Sequence, residues 1–307
     1  MSSDGRHIDT WCWPTTCGAV RRAIRTDRPL AVLTEYALLS KCLEDVPPGV
    51  LKIIDTVEVF FRNADRFHIA GLEAPVVCTA ASEKAALGRA DLLVAIQKND
   101  ATALQEAFPG KDVVTVPYSF RQPLPRSHGP GEATVLFVGS SNPFNVHGLG
   151  QFVQRAWPAI LTRVPQATLR IVGSVPPVRG PRIVHVGLVT DEELAREYQR
   201  ATVVINPQVA GTGLKIKCVE ALSAGCPLVT NAAGADGLED GAGVAYRLAS
   251  NWSDFTEHVV TLLTDEQARV ALETAAAALA DRLFSPSTVF AELSAVLGRD
   301  REGGAHS

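Results

Sequence analysis

Residues 202–230 read TVVINPQVAGTGLKIKCVEALSAGCPLVT. The β-branched run TVVINP (202–207) leads into a glycine-bearing loop, an apolar periodic stretch and a second strand-like run, PLVTN (227–231). Strand, loop, helix and strand in that order make one parallel α/β unit. In doubly wound sheets ligands bind at the carboxyl ends of the strands, where loops enter helix N-termini. Lys215 and Lys217 sit at that entry, and they are the only lysines beyond Lys111. A lysine in the first turn faces the positive end of the helix dipole and costs about 0.3–1 kcal/mol. A bound anion reverses the sign. Gly211 and Gly213 let the backbone approach closely, and a phosphate takes backbone N–H groups and ammonium groups together, so a nucleotide diphosphate is the economical ligand. Glu220, about one and a half turns beyond Lys215, reaches past the phosphates toward two ribose hydroxyls. The plainer alternative pairs Lys217 with Glu220 at i, i+3 on an exposed helix, worth about 0.2–0.5 kcal/mol. That alternative leaves Lys215 unexplained.

Outward from this unit the pattern repeats. On the N-terminal side LAVLTEY (30–36), LKIIDTV (51–57), APVVCTA (74–80), LLVAI (92–96) and DVVTVPY (112–118) are strand candidates, although APVVCTA could equally begin a helix. Helices are expected at 82–90 and at 98–108, the second capped by Asn99 or Asp100. RQPLPRSHGPG (121–131) is a linker: three prolines, two glycines and three cations without apolar periodicity. After it come strands at 134–138, 168–172, 182–186, 202–207 and 227–231 and a short one at 244–248. Helices are expected at about 148–163, 191–201, 252–263, 265–282 and 286–297. The chain is therefore expected to hold two α/β domains, 1–125 and 126–307.

FVGSSNPFNVHGLGQFV (137–153) is a second strand-to-helix turn, with Gly139 and Ser140 turning the chain and a helix expected from near Gly148. It contains no Lys or Arg, so a ligand contact must come from backbone N–H groups, Ser140, Ser141, Asn142 or Asn145. A plain turn is the competing reading. Net charge −4 without a basic field argues against a nucleic-acid partner. The run AVRRAIRTDR (19–28) reads as a solvated helix face. No stretch reaches a membrane span, the N-terminus lacks a secretory pattern, and the six cysteines form no CxxC pair and lack the density of a disulfide scaffold, which fits reduced thiols, most of them small core residues, in a cytoplasmic protein. GxGxxG, P-loop, GxSxG, HExxH and DxD motifs are all missing, which removes support for dinucleotide, P-loop, serine-hydrolase, zincin and metal-dependent DxD chemistry.

GTGLKIKCVEALSAGCPLVT, together with FVGSSNPFNVHGLGQFVQRAWPAI, ATLRIVG, HVGLVTDEELAREYQRATVVINP and GADGL, resembles the retaining GT-B glycosyltransferases of family-4 type, the glycosyl transferases group 1. The likeness covers about 132–298 and extends more faintly to the first 125 residues. It implies an α/β GT-B architecture of two Rossmann-like domains, an acceptor-side domain at 1–125 that is incomplete, and a donor domain at 126–307. The final helix, with Val289, Leu293 and Leu297 on its apolar face, returns to the acceptor side. The implied donor set is Gly211, Thr212, Gly213, Leu214, Lys215, Lys217 and Glu220, with Gly139, Ser140 and Asn142 in the cleft and the backbone of Leu188 and Val189 at the base. The chemistry implied is metal-independent, retaining sugar transfer from a nucleotide-diphosphate sugar to an acceptor that the sequence does not identify, with no cofactor. Departures from the family pattern are Thr212 where many members carry a carboxylate, Val57-Glu58 where a His-Asp pair is common, and GSSNPFNVHG without its usual Arg and Lys. They leave open a non-catalytic or truncated sugar-nucleotide-binding relative, and no catalytic residue is assigned.

Overall fold

The computed structural model describes residues 8–60, 78–120, 133–208, 210 and 213–303. The chain divides into two compact units, Met1–Pro117 with Val289–Ser307, and Tyr118–Thr288. The expected linker 121–131, and with it the expected boundary at 125/126, lies outside the described residues, as does most of APVVCTA.

In the first unit helix α1 (Pro14–Asp27) precedes β1 (Ala31–Glu35), β2 (Leu51–Asp55), helix α2 (Ala80–Leu87), β3 (Leu92–Ala95), helix α3 (Lys98–Ala107) and β4 (Asp112–Thr115). All four strands are parallel in the order β1-β2-β3-β4, with Ile54 opposite both Thr34 and Leu93. β3 is buried along its whole length, so LLVA reads as an unbroken apolar run. A 3-10 turn, Ile8–Trp11, and a 3-10 helix, Ala37–Leu43, fold over this sheet, and neither has a periodicity that would have disclosed it. The expected cap of α3 is replaced: Gln97 holds the N-cap position without a side-chain cap, while Asp100 is buried and accepts from Gln97 Nε2 at 3.0 Å.

The second unit runs β5 (Thr134–Val138), α4 (Pro143–Arg155), α5 (Trp157–Arg163), β6 (Thr168–Val172), β7 (Ile183–Gly187), α6 (Asp191–Arg200), β8 (Val203–Asn206), α7 (Ile216–Ser223), β9 (Leu228–Asn231), β10 (Arg247–Ala249), α8 (Trp252–Thr264) and α9 (Glu266–Phe284). Its strands are parallel and ordered β10-β9-β8-β5-β6-β7. The order reverses between β5 and β8, the position at which a doubly wound sheet opens a crevice at its carboxyl edge. Leu149, Phe152, Trp157, Ile160, Phe255 and Val259 pack with Val135, Leu169 and Val203 into one core.

The chain then returns to the first unit through α10 (Pro286–Val289) and α11 (Ala291–Gly303). Leu293 and Val296 pack on Ile53, Val94 and Val114, and Glu292 Oε2 accepts the Thr115 N–H at 2.9 Å. Leu297, expected on the apolar face, is 37% exposed, and Val296 takes its place.

α4 starts five residues before the expected Gly148 because Asn142 caps it, its Oδ1 accepting the Phe144 N–H at 2.9 Å, and Pro143 fits the first helical position. Gly148 and Gly150 thus lie inside a helix. A Cβ on Gly148 would stand 2.5 Å from the carbonyl oxygen of Pro207, whereas one on Gly150 meets nothing within 4 Å. The glycine at 148 is what lets α4 lie against the end of β8. Gly148→Ala is expected to cost about 1–3 kcal/mol through overpacking. Gly150→Ala should be neutral or stabilising by up to about 1 kcal/mol from helix propensity. Urea unfolding of the two variants measures the contrast.

Candidate functional site

The two loops singled out in the sequence meet at the strand-order reversal. β5 and β8 are neighbours, Val135 opposite Val203 and Leu136 opposite Val204, so their carboxyl ends open side by side. From the β5 end, Gly139 turns the chain so tightly that a Cβ there would stand 2.7 Å from the Phe137 ring. Asn145, one turn into α4, donates from Nδ2 to the Ser140 carbonyl at 3.2 Å and to Ser140 Oγ at 3.3 Å. Its Oδ1 accepts a short hydrogen bond from Lys217 Nζ, in the first turn of α7. The same ammonium lies 4.9 Å from the centre of the Phe137 ring, a cation–π contact. Lys217, Asn145 and Ser140 therefore join one loop to the other.

Lys215 holds the N-cap position of α7, with a buried side chain whose Nζ donates to the Gly213 carbonyl at 2.5 Å. Gly213 takes φ 82°, the left-handed region expected of it, and its N–H is held by Asp236 Oδ2 at 3.0 Å. Leu214 is buried beside it. Gly211 and Thr212 lie outside the described residues. Burial lowers the Lys217 ammonium to about 8, with Lys215 adding to the fall and Cys218 and Glu220 opposing it.

Glu220 is buried, and its Oε2 accepts from Tyr198 Oη at 2.7 Å. Its carboxyl is raised by burial, held back by the Tyr198 hydrogen bond and Lys217, and raised further by Asp191. The i, i+3 pairing considered from the sequence is not what forms: Lys217 goes to Asn145 and Glu220 to Tyr198. Leu188, 82% exposed, and the half-buried Val189 follow β7, and Thr190 caps α6 through a reciprocal capping box with Glu193. Asp191, the first residue of α6, acts electrostatically on Glu220 and on Tyr118, which brings that turn to the edge of the same site. Asn142 lies at the mouth, its side-chain oxygen already used in the α4 cap.

Tyr118, Asp191, Tyr198, Asp236 and Phe137 are site residues that sequence reading did not single out. Tyr198 had a signal: an aromatic with a polar tip at the inner face of an otherwise highly charged helix. Asp236 stands in the GADGL segment already quoted for its resemblance. Behind the site Asn206, wholly buried at the end of β8, donates from Nδ2 to Cys218 Sγ at 3.1 Å and accepts at its carbonyl from Thr230 Oγ1 at 2.8 Å, while its Oδ1 has no partner among the described residues.

Residues 132–265 match the family described as glycosyl transferases group 1. An uncharacterized 44.6 kDa protein in the cps region of Klebsiella pneumoniae is 26% identical over 139 residues, which cover 41% of this chain and 36% of that protein. The match thus spans about a third of that relative's length. Among solved structures, sucrose-phosphate synthase from Thermosynechococcus elongatus aligns with a TM-score of 0.73 at 17% identity over 98% of this chain and 80% of that one. Anabaena HepE in complex with UDP-glucose aligns at 0.68 and 14% identity, over 92% and 82%. The fold is the expected α/β one, with two parallel sheets of the GT-B kind.

Tyr198→Phe removes the hydrogen bond to a buried carboxylate and nothing else from the site. It is expected to lower unfolding free energy by about 1–3 kcal/mol at neutral pH, as read by chemical denaturation. A raised carboxyl pKa opposes folding once the group is ionised, so the variant's deficit should shrink at acidic pH, where Glu220 takes up a proton.

Proposed function

We propose, from the match of residues 132–265 to glycosyl transferases group 1, a glycosyltransferase that moves a sugar from a nucleotide-diphosphate donor to an acceptor hydroxyl, with retention and without a metal. The observation that carries this reading is the Lys217–Asn145–Ser140 line across the β5/β8 reversal, flanked by Lys215 and Glu220. In the proposed complex the diphosphate lies over the N-terminus of α7. Lys215 and Lys217 give it their charge, and the Gly139–Ser140 turn gives backbone N–H groups. Glu220 turns Oε1 to the ribose hydroxyls while Tyr198 fixes Oε2. Leu188 and Val189 border the base.

The chemistry follows from charge. Breaking the anomeric C–O bond leaves negative charge on the β-phosphate, and two ammonium groups with a helix dipole already in place stabilise it without reorganisation. Those cations do the work that a metal would otherwise do. Retention follows if the departing phosphate oxygen takes the proton of an acceptor hydroxyl arriving on the face it leaves. The acceptor, a cytoplasmic setting and the absence of any cofactor belong to this proposal as well.

Calorimetric titration with UDP, GDP, ADP, dTDP and their sugars tests the donor site. One nucleotide should bind, and Lys215→Ala and Glu220→Gln should each weaken it by about 10–100-fold, the loss expected of a charge-assisted hydrogen bond. A folded chain that binds none of them, or variants that bind like wild type, would overturn the proposal. Sugar release above the Glu220→Gln control separates an enzyme from a binding-only relative, and the anomeric configuration of the product by NMR tests retention.

A pH series adds an independent arm. Lys217, held near 8 by burial, binds the diphosphate only as the ammonium, so affinity should fall roughly tenfold between pH 7 and 9. Lys217→Arg stays charged over that range and should give a flat profile.

A further inference from the structure

Far from the lysine site, in the first unit, three cysteines that are scattered in sequence converge. Cys12 follows the 3-10 turn Ile8–Trp11, Cys17 lies in the first turn of α1, and Cys42 lies in the 3-10 helix Ala37–Leu43. Their sulfurs stand 3.3 Å (Cys12–Cys42), 3.4 Å (Cys12–Cys17) and 3.6 Å (Cys17–Cys42) apart, and all three side chains are buried. All six cysteines are free, as the sequence suggests, but the two segments that carry these three are unrelated by motif, and only the fold brings them together.

The other buried cysteines show what an isolated structural thiol does in this protein. Cys218 and Cys226 each give their S–H to a backbone carbonyl, of Gly234 at 3.3 Å and of Tyr198 at 3.2 Å. The three clustered thiols instead face one another. Among the described residues the carbonyl that meets them is that of Leu39, 3.9 Å from Cys12 Sγ, and the half-buried Val20 closes the apolar side. S–H groups that share one another's sulfurs, which are weak acceptors, and a single long contact to a carbonyl form a poorly satisfied buried set. Such a set matches a metal centre better than a thiol core.

We propose that Cys12, Cys17 and Cys42 bind one thiophilic d10 metal ion, Zn2+ or Cu+, as a structural staple of the first unit. A single ion is indicated by the spacing. Tetrahedral Zn–S bonds of about 2.3 Å put sulfurs about 3.8 Å apart, so a few tenths of an ångström of adjustment seat an ion equally on all three. Sulfurs bound to different irons of a cluster would be spread more widely. Thiolate ligands select soft or borderline ions over Mg2+ or Ca2+. Binding replaces three thiol protons, which leave to solvent, and the three thiolates more than neutralise the ion. Trp13 stands at the N-cap of α1 without a side-chain cap, so the positive end of the helix dipole, in the turn that carries Cys17, favours the resulting anionic centre. The three ligands tie residues 12–17 to the segment between β1 and β2. Arg89 ties the same corner with charge, donating to Asp9 at 2.6 and 2.8 Å and to Ser40 Oγ at 2.9 Å and pairing with Glu44 at 2.7 Å.

The test is on the full chain, purified reduced and without oxygen. Elemental analysis should find about one equivalent of zinc or copper, the element found distinguishing the two ions. Co2+ added to the metal-stripped chain should give sulfur-to-cobalt charge-transfer absorption saturating near one equivalent. Cys42→Ser should lose most of the metal and the cobalt band, Cys78→Ser, outside the cluster, should keep both, and stripping the wild type should lower its melting temperature. A folded wild-type chain that takes up neither ion and gives no cobalt–thiolate band overturns the proposal. So does metal retained by Cys42→Ser, or a disulfide between two of the three cysteines in the reduced preparation. If Cys42→Ser does not fold, the wild-type cobalt titration decides alone. Nucleotide binding at Lys215 and Glu220 does not enter this outcome, so the two proposals fail separately.

Discussion

The ammonium of Lys217 is the contact on which the geometry of the candidate site depends. It is drawn down between strand ends onto the face of Phe137 and hydrogen-bonded to one amide oxygen, that of Asn145. Desolvation makes this an uphill arrangement for a cation, which is why its pKa falls toward neutrality. An amide dipole and an aromatic face offset part of the cost, and an incoming anion would offset more. Asn145 can hold the ammonium only because its other end is fixed on Ser140, and Ser140 is where it is because Gly139 permits the turn over Phe137. A chain of small steric permissions thus decides where one positive charge sits.

The strand order supplies the place for that charge. Helices leaving β5 and β8 diverge to opposite sides of the sheet, and the gap between their N-termini is lined by loops from both. α4 approaches the β8 end within contact distance of the Pro207 backbone, which the missing side chain of Gly148 permits. Glu220, nearly a turn beyond Lys217 on α7, faces the same space while Tyr198 reaches it from α6. Acid and base are held apart by different partners rather than neutralising each other.

Much of this was legible in the sequence. Fully buried parallel strands read as unbroken apolar runs, and LLVA and VVIN do so. The glycines and lysines of 211–217 announce a helix entry because no ordinary surface helix wants them there. The start of α4 was misplaced because VHGLGQ looks like a turn by propensity. Packing overrules propensity there, since Gly148 serves the approach to Pro207 and not a bend. Tyr198 and Glu220 are 22 residues apart, and Cys42 is 25 from Cys17. Neither partnership has a local pattern, and only the sheet order for one and an irregular 3-10 segment for the other bring the groups together.

The two units also differ in how their corners are held. The second has a continuous aromatic and aliphatic core, in which Phe152 meets Trp157 and Phe255 at ring distances of 6.2 and 5.6 Å. In the first, the segment before β1 contributes chiefly Ile8 to the apolar core and is otherwise tied by Arg89 and by the three thiols. Apolar burial is graded and forgiving, whereas an ion pair or a coordinated ion is lost when one partner goes. Residues 8–17 therefore depend on point attachments. A metal on the cysteines fits this economy, because it adds directional bonds where there is little surface left to bury.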